Sequence, residues 1–119
     1  HGLWKVKLLG KSNQFKKGVL ELCVLYLLKN KDRYGYEITQ LVNKNIPLTE
    51  GALYPILRRF VKEGYCVTYL KESKGGPARK YYQITSLGKE YLAELNKEWM
   101  VFVENVALLK QEEDERANE

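Results

Sequence analysis

IPLTEGALYPILRRFVKEGYCVTYLKESKGGPARKYYQIT, residues 46 to 85, decides the fold, because it joins an amphipathic helix to a hairpin with a basic, glycine-rich tip. Within it Leu53, Ile56, Leu57, Phe60 and Val61 recur at i, i+3, i+4, i+7 and i+8, the spacing that gathers apolar groups on one helical face. These five are expected in the core. The same periodicity puts Gly51, Pro55, Arg58 and Lys62 on the opposite face, flanked by Tyr54 and Arg59. That face offers cations and a phenol with little acid, groups suited to phosphates and base edges. Thr49 is the expected N-cap, Glu50 complements the helix dipole in the first turn, and Gly64 stands where a C′ glycine ends a helix. On this reading Pro55 is interior, removing an N–H bond and crowding the carbonyl of Gly51, so a local irregularity is expected.

After the helix, Tyr65 to Lys71 and Arg79 to Thr85 are rich in aromatic and β-branched residues, and they flank the turn-forming run Ser73-Lys74-Gly75-Gly76-Pro77. A two-stranded hairpin with a mobile tip is predicted. Lys74, Arg79 and Lys80 load that tip with positive charge, and glycine allows close backbone approach to a ligand. Lysines also guard edge strands against aggregation, so the hairpin taken alone specifies no ligand.

Upstream, Phe15 to Lys29 reads as a scaffold helix with Val19, Leu20, Cys23, Val24, Leu27 and Leu28 on its apolar face. Tyr34 to Lys44 reads as a shorter helix with Ile38, Leu41 and Val42 inward, followed by a turn at Asn45-Ile46-Pro47-Leu48. Helix, turn and basic helix is the order of a helix-turn-helix. Tyr34 and Tyr36 either brace that motif or touch a ligand. Downstream, Ser86 to Lys110 reads as one long helix striped by Leu87, Tyr91, Leu95, Trp99, Phe102, Val106 and Leu109. The last five alternate steps of four and three, the seam spacing of a coiled coil, which a lone helix cannot cover. A homodimer with Leu95, Trp99, Phe102, Val106 and Leu109 at its interface is the simplest expectation.

Length and charge agree, since 119 residues fit one domain with a modest core. The net charge of +5 understates how basic the body is, because Glu112, Glu113, Asp114, Glu115 and Glu119 oppose only Arg116 in the last nine residues. Phosphate is the expected counter-charge, and residues 111–119 are expected to be a solvated, frayed acidic tail. The expected organisation is a flexible N-terminal remnant of processing or cloning at 1–13, a winged helix-turn-helix domain at 14–85, and a dimerisation helix at 86–110 before the tail.

Other function classes lack their residues. The only histidine is His1, which leaves no metal pair or histidine-based triad, and carboxylates scatter over predicted solvent faces. Gly10-Lys11-Ser12 resembles the end of a phosphate loop, but Lys5 stands where that loop requires glycine. Catalysis, metals and cofactors are therefore not expected. Cys23 and Cys66 have neither redox nor zinc spacing and read as buried small hydrophobes. No secretory signal pattern and no apolar run of ~18 residues is evident, so a cytoplasmic protein in a reducing compartment, away from membranes, is expected.

Four segments together carry a family resemblance: Tyr34-Gly35-Tyr36-Glu37-Ile38, Gly51-Ala52-Leu53-Tyr54-Pro55-Ile56-Leu57-Arg58-Arg59, Lys62-Glu63-Gly64, and Gly75-Gly76-Pro77-Ala78-Arg79-Lys80-Tyr81-Tyr82. In combination, over residues 15 to 110, the chain resembles the PadR-like transcriptional regulators. The resemblance implies a mainly α winged helix-turn-helix with a small β-hairpin. It also implies homodimers joined through C-terminal helices, with the short branch using a single such helix, and repression as the usual outcome. In some short members aromatic or drug-like compounds bind between subunits near a tryptophan, which here would be Trp99 with Met100, Phe102 and Val103 as neighbours.

Under this reading Arg58 and Tyr54 are expected to face the major groove of double-stranded DNA, and Thr49, Arg59 and Lys62 to hold its backbone beside Gly51. Lys74, Arg79 and Lys80 are expected to give the wing's phosphate or minor-groove contacts. The rival expectation is a winged helix that binds protein or RNA without a specific operator. A MarR-like regulator is a further alternative, but that fold normally carries dimerising helices at both chain ends.

Overall fold

The computed structural model describes residues 18–119, so the expectations for residues 1–17, including the N-terminal remnant and Gly10-Lys11-Ser12, lie outside the described residues. Seven elements follow in order: α1 (18–28), β1 (Arg33–Tyr34), α2 (Gly35–Asn45), α3 (Tyr54–Lys62), β2 (Cys66–Ser73), β3 (Gly76–Ile84) and α4 (Ser86–Ala117). Leu20, Val24, Leu25 and Leu28 of α1, Ile38 and Val42 of α2, and Leu57 and Phe60 of α3 meet Leu53, Cys66, Tyr82 and Leu92 in one buried cluster. The helix-turn-helix thus closes over the root of the hairpin.

Helix α3 begins later than its sequence pattern predicts. Gly51 adopts φ +76° in a turn where the Ala52 N–H donates to the Thr49 carbonyl at 3.2 Å and the Tyr54 N–H to the Gly51 carbonyl at 3.3 Å. That turn occupies the segment expected to be the first helical turn, so Leu53 becomes the N-cap, without a side-chain cap bond, and Thr49 caps nothing. Pro55 consequently sits in the first turn, where an absent N–H costs no helical bond, and the expected interior irregularity disappears. Leu53, Leu57 and Phe60 form the buried stripe, whereas Ile56 is only partly buried and Val61, one step past Phe60 on the stripe's edge, is 40% exposed. The C-terminus matches its expectation: Gly64 takes φ +83°, its N–H reaches the Val61 carbonyl, and the Tyr65 N–H reaches the Phe60 carbonyl at 2.8 Å. This is a Schellman closure, and the Phe60 and Tyr65 rings meet edge to face at 6.0 Å beside it.

The hairpin is part of a three-stranded antiparallel sheet in the order β1-β3-β2 rather than an isolated pair of strands. Strand β1 pairs Arg33 with Tyr82 and Tyr34 with Tyr81, so Tyr34 belongs to the sheet and α2 starts at Gly35. Because cross-strand partners share a face, Cys66, Tyr82 and Ile84 turn toward the helices while Tyr69, Tyr81, Lys71 and Arg79 share the outer face.

Helix α4 is anchored at its start and free beyond. The Thr85 hydroxyl accepts from the Gly88 N–H at 3.0 Å and donates to the Gly64 carbonyl at 2.7 Å, tying the cap to the end of α3. Tyr91 stacks on Tyr65 at 4.2 Å between centroids, and Leu92 enters the core. Leu87 is half exposed and Leu92 takes the buried position, while Tyr91 and Leu95 of the predicted stripe pack against the core beside it. The helix continues through Ala117, so the acidic run expected to fray is helical; Gln111 bonds Glu115 and Arg116 pairs with Glu113 across single turns.

Candidate nucleic-acid interface

On α3, Arg58 and Lys62 are exposed one turn apart, and among the described residues neither forms an ion pair. Tyr54 is 40% exposed with its ring against α2, since a Cβ added at Gly35 would lie 3.1 Å from Tyr54 Cε1. That glycine lets the two helices of the motif meet across a phenol. Arg59 is exposed, and its guanidinium pairs with Glu21 of α1 and lies 5.6 Å from the Phe60 ring, an ion pair that ties α3 to α1. Thr49 is exposed and Gly51 partly buried in the turn that leads into α3, so both sit before the helix rather than on its outer face.

The wing cations divide over different surfaces. Lys74 lies in the tip beside Gly75, which takes φ +71°, and Ser73 Oγ donates to the Pro77 carbonyl at 2.8 Å to close the turn. Arg79 stands directly opposite Lys71 on the outer face, while Lys80 pairs with Leu70 on the other. Lys71 was not among the expected contacts, although its strand parity matches that of Arg79. Two cations opposed across a ladder repel. Here each rests on an aromatic face, Arg79 at 4.5 Å from the Tyr34 centroid and Lys71 at 5.3 Å from that of Tyr81, and among the described residues neither forms an ion pair. Tyr69 stacks on Tyr81 at 5.6 Å, and its hydroxyl donates to Asp32 Oδ2 at 2.7 Å. The hydrogen bond to Asp32, with smaller contributions from burial and the negative charge nearby, raises the Tyr69 phenol above its ordinary pKa and keeps it a donor.

Trp99, Phe102, Val106 and Leu109 of α4 are exposed in the single chain, and Leu95 is partly buried. Trp99 and Phe102 line an open concavity of about 550 Å³ together with Gly18, Val19, Leu22, Leu95 and Glu98. Met100 and Val103, expected beside Trp99, lie outside that lining and are exposed. The contributions from α1 were not anticipated, since helical spacing within α4 carries no information about which other helix approaches it.

Residues 24–94 match the transcriptional regulator PadR-like family, a stretch that includes α2, α3, the whole wing and the anchored start of α4. The chain belongs to the PadR-like family of transcriptional regulators. A PadR-like transcriptional regulator of Bacillus cereus is 42% identical and superposes with a TM-score of 0.73, covering 82% of this chain and 97% of that one. An uncharacterised protein X of Lysinibacillus sphaericus is 44% identical over 87 residues, 70% of this chain and 80% of that protein. Transcriptional regulator YqjI of Escherichia coli is 33% identical over 94 residues, 76% of this chain but 43% of its own length. The fold is therefore the PadR winged helix, and DNA-binding regulation is the family's activity. Among the described residues no helix is long and apolar enough to cross a membrane, and no group of three or more His, Cys, Asp or Glu residues could hold a metal ion.

Proposed function

We propose that this PadR-like chain is a cytoplasmic repressor that binds a two-fold symmetric operator as a homodimer. The observation that carries the reading is the pair of α3 cations, Arg58 and Lys62, and the wing cations Lys71 and Arg79 opposed across the ladder, none of which forms an ion pair among the described residues. Phosphate relieves that repulsion. Arg58 and Tyr54 take the major groove, Lys62 and Thr49 the strand backbone near the Gly51 turn, and Lys74, Arg79 and Lys80 the wing's contacts. The exposed apolar stripe of α4 supports dimerisation, because Trp99, Phe102, Val106 and Leu109 lie at seam spacing and each keeps a third or more of its surface exposed. Residues 14–85 thus act as the reading unit and 86–110 as the spacer, which sets two copies of α3 about 34 Å apart to meet successive major grooves.

The concavity beside Trp99 supports release by a planar aromatic effector held between subunits. Such a compound acts only if it favours a dimer geometry with a different α3 spacing, since equal affinity for both geometries shifts nothing. Titration of planar aromatics is expected to change Trp fluorescence and weaken operator binding together; operator affinity that stays constant at saturation sinks the effector reading. For DNA binding itself, log affinity for duplex is expected to fall linearly with log salt. Indifference to every duplex would instead favour a protein- or RNA-binding winged helix.

A further inference from the structure

We propose that Asp32 is a positioning residue that latches the wing to the helix-turn-helix body, fixing the angle at which Lys71 and Arg79 approach DNA. Asp32 lies in the loop between α1 and β1, outside the hairpin, yet its Oδ2 accepts from both wing strands: from Tyr69 Oη of β2 at 2.7 Å and from Gln83 Nε2 of β3 at 3.3 Å. The next residue ties that loop to the body. Arg33 Nε donates to the Leu27 carbonyl at 2.9 Å and Arg33 Nη1 pairs with Glu37 of α2 at 2.9 Å. One path of polar bonds thus runs from α1 and α2 through residues 32 and 33 into both strands of the wing.

Leverage makes the latch matter. From Tyr69 to the tip is about five residues at ~3.3 Å each, so the tip stands ~17 Å beyond the latch. A swing of only ~10° at the root would carry the tip ~3 Å, a full hydrogen-bond length, and would move Lys71 and Arg79, two residues beyond the latch, by ~1 Å. The wing cations sit on tyrosines of the same sheet and move with it.

The charge of Asp32 gives the proposal a distinctive sign. A carboxylate beside Lys31 and Lys71 opposes phosphate binding electrostatically, so if charge alone mattered, Asp32→Ala would bind DNA more tightly. A latch requires the opposite result. The proposal rests on the DNA-binding reading, and its test uses the intact chain with the tightest-binding duplex it selects from genomic fragments. Asp32→Ala and Tyr69→Phe are each expected to bind about fivefold more weakly while lowering the melting temperature only slightly, since the lost hydrogen bond is exposed. Tyr69→Phe removes the bond while keeping the carboxylate, and the double variant is expected to be no weaker than either single one. Asp32→Asn, which keeps a carbonyl acceptor for Tyr69, is expected to restore binding. Unchanged or tighter binding by Asp32→Ala, or full additivity in the double variant, overturns the latch while leaving DNA binding intact. A wild-type chain that selects no duplex overturns both readings together.

Discussion

Gly88 and Cys66 show how tightly single residues set the root of the wing. A Cβ at position 88 would lie 2.2 Å from the Tyr65 carbonyl oxygen and 2.8 Å from Ile84 Cγ1, and backbone cannot yield cheaply. Gly88→Ala is expected to destabilise the fold by about 3 kcal/mol in urea unfolding, near the upper end of the usual overpacking cost; an unchanged midpoint would contradict this close crossing. Burial pushes the Cys66 thiol from 9.0 up to about 12. Between those values the folded protein keeps a proton that the unfolded chain has lost, so stability holds below about 9 and falls as pH rises toward 12. At pH 8 iodoacetamide is expected to reach Cys66 only through unfolding, as read by mass spectrometry of the labelled chain, and rapid labelling of the native state would contradict the burial. At this scale the sequence was legible where the chemistry is local. Gly64 announced its C′ role because a Schellman closure needs only neighbours. Pro55 misled, because its place in α3 depends on the turn at Gly51, whose positive φ no periodicity reveals.

The elements differ in how visible they were. Helix α2 and the core stripe of α3 follow apolar spacing, and the hairpin follows its turn chemistry. Strand β1 did not register because two residues are too few to display alternation, and it exists through pairing with β3 across more than forty residues of chain. The division of the wing cations between faces was recoverable from strand parity once the register is known, and Lys71 joins Arg79 on that basis. For the elements' roles, Arg58→Ala is expected to relax base preference and cost about 1–3 kcal/mol of operator binding. Lys74→Ala and Lys71→Ala are expected to weaken all duplexes alike and each reduce the salt slope by about 1. Arg59→Ala, already engaged by Glu21, is expected to leave the salt slope unchanged. An Arg59→Ala slope reduced as much as that of Lys74→Ala would return Arg59 to the DNA face.

At the scale of the molecule, the reading unit and the long helix divide the work. Helix α4 has 32 residues, about 48 Å at the usual rise, and enters the core only near its start. The seam spacing was plain in the sequence, whereas the concavity beside Trp99 was not, because α1 supplies much of its wall. Replacing Trp99 and Val106 together with Asp is expected to yield monomers by light scattering and to weaken operator binding at least tenfold, since only a dimer engages both half-sites. A double variant that stays dimeric would place the interface elsewhere. Two-fold operator reading is tested most directly by selection of bound fragments from the host genome followed by footprinting. A dimeric reader selects one class of two-fold symmetric sites, protected in two half-sites about one helical turn apart. Recovery of no duplex above background, or of sites lacking symmetry, would contradict it.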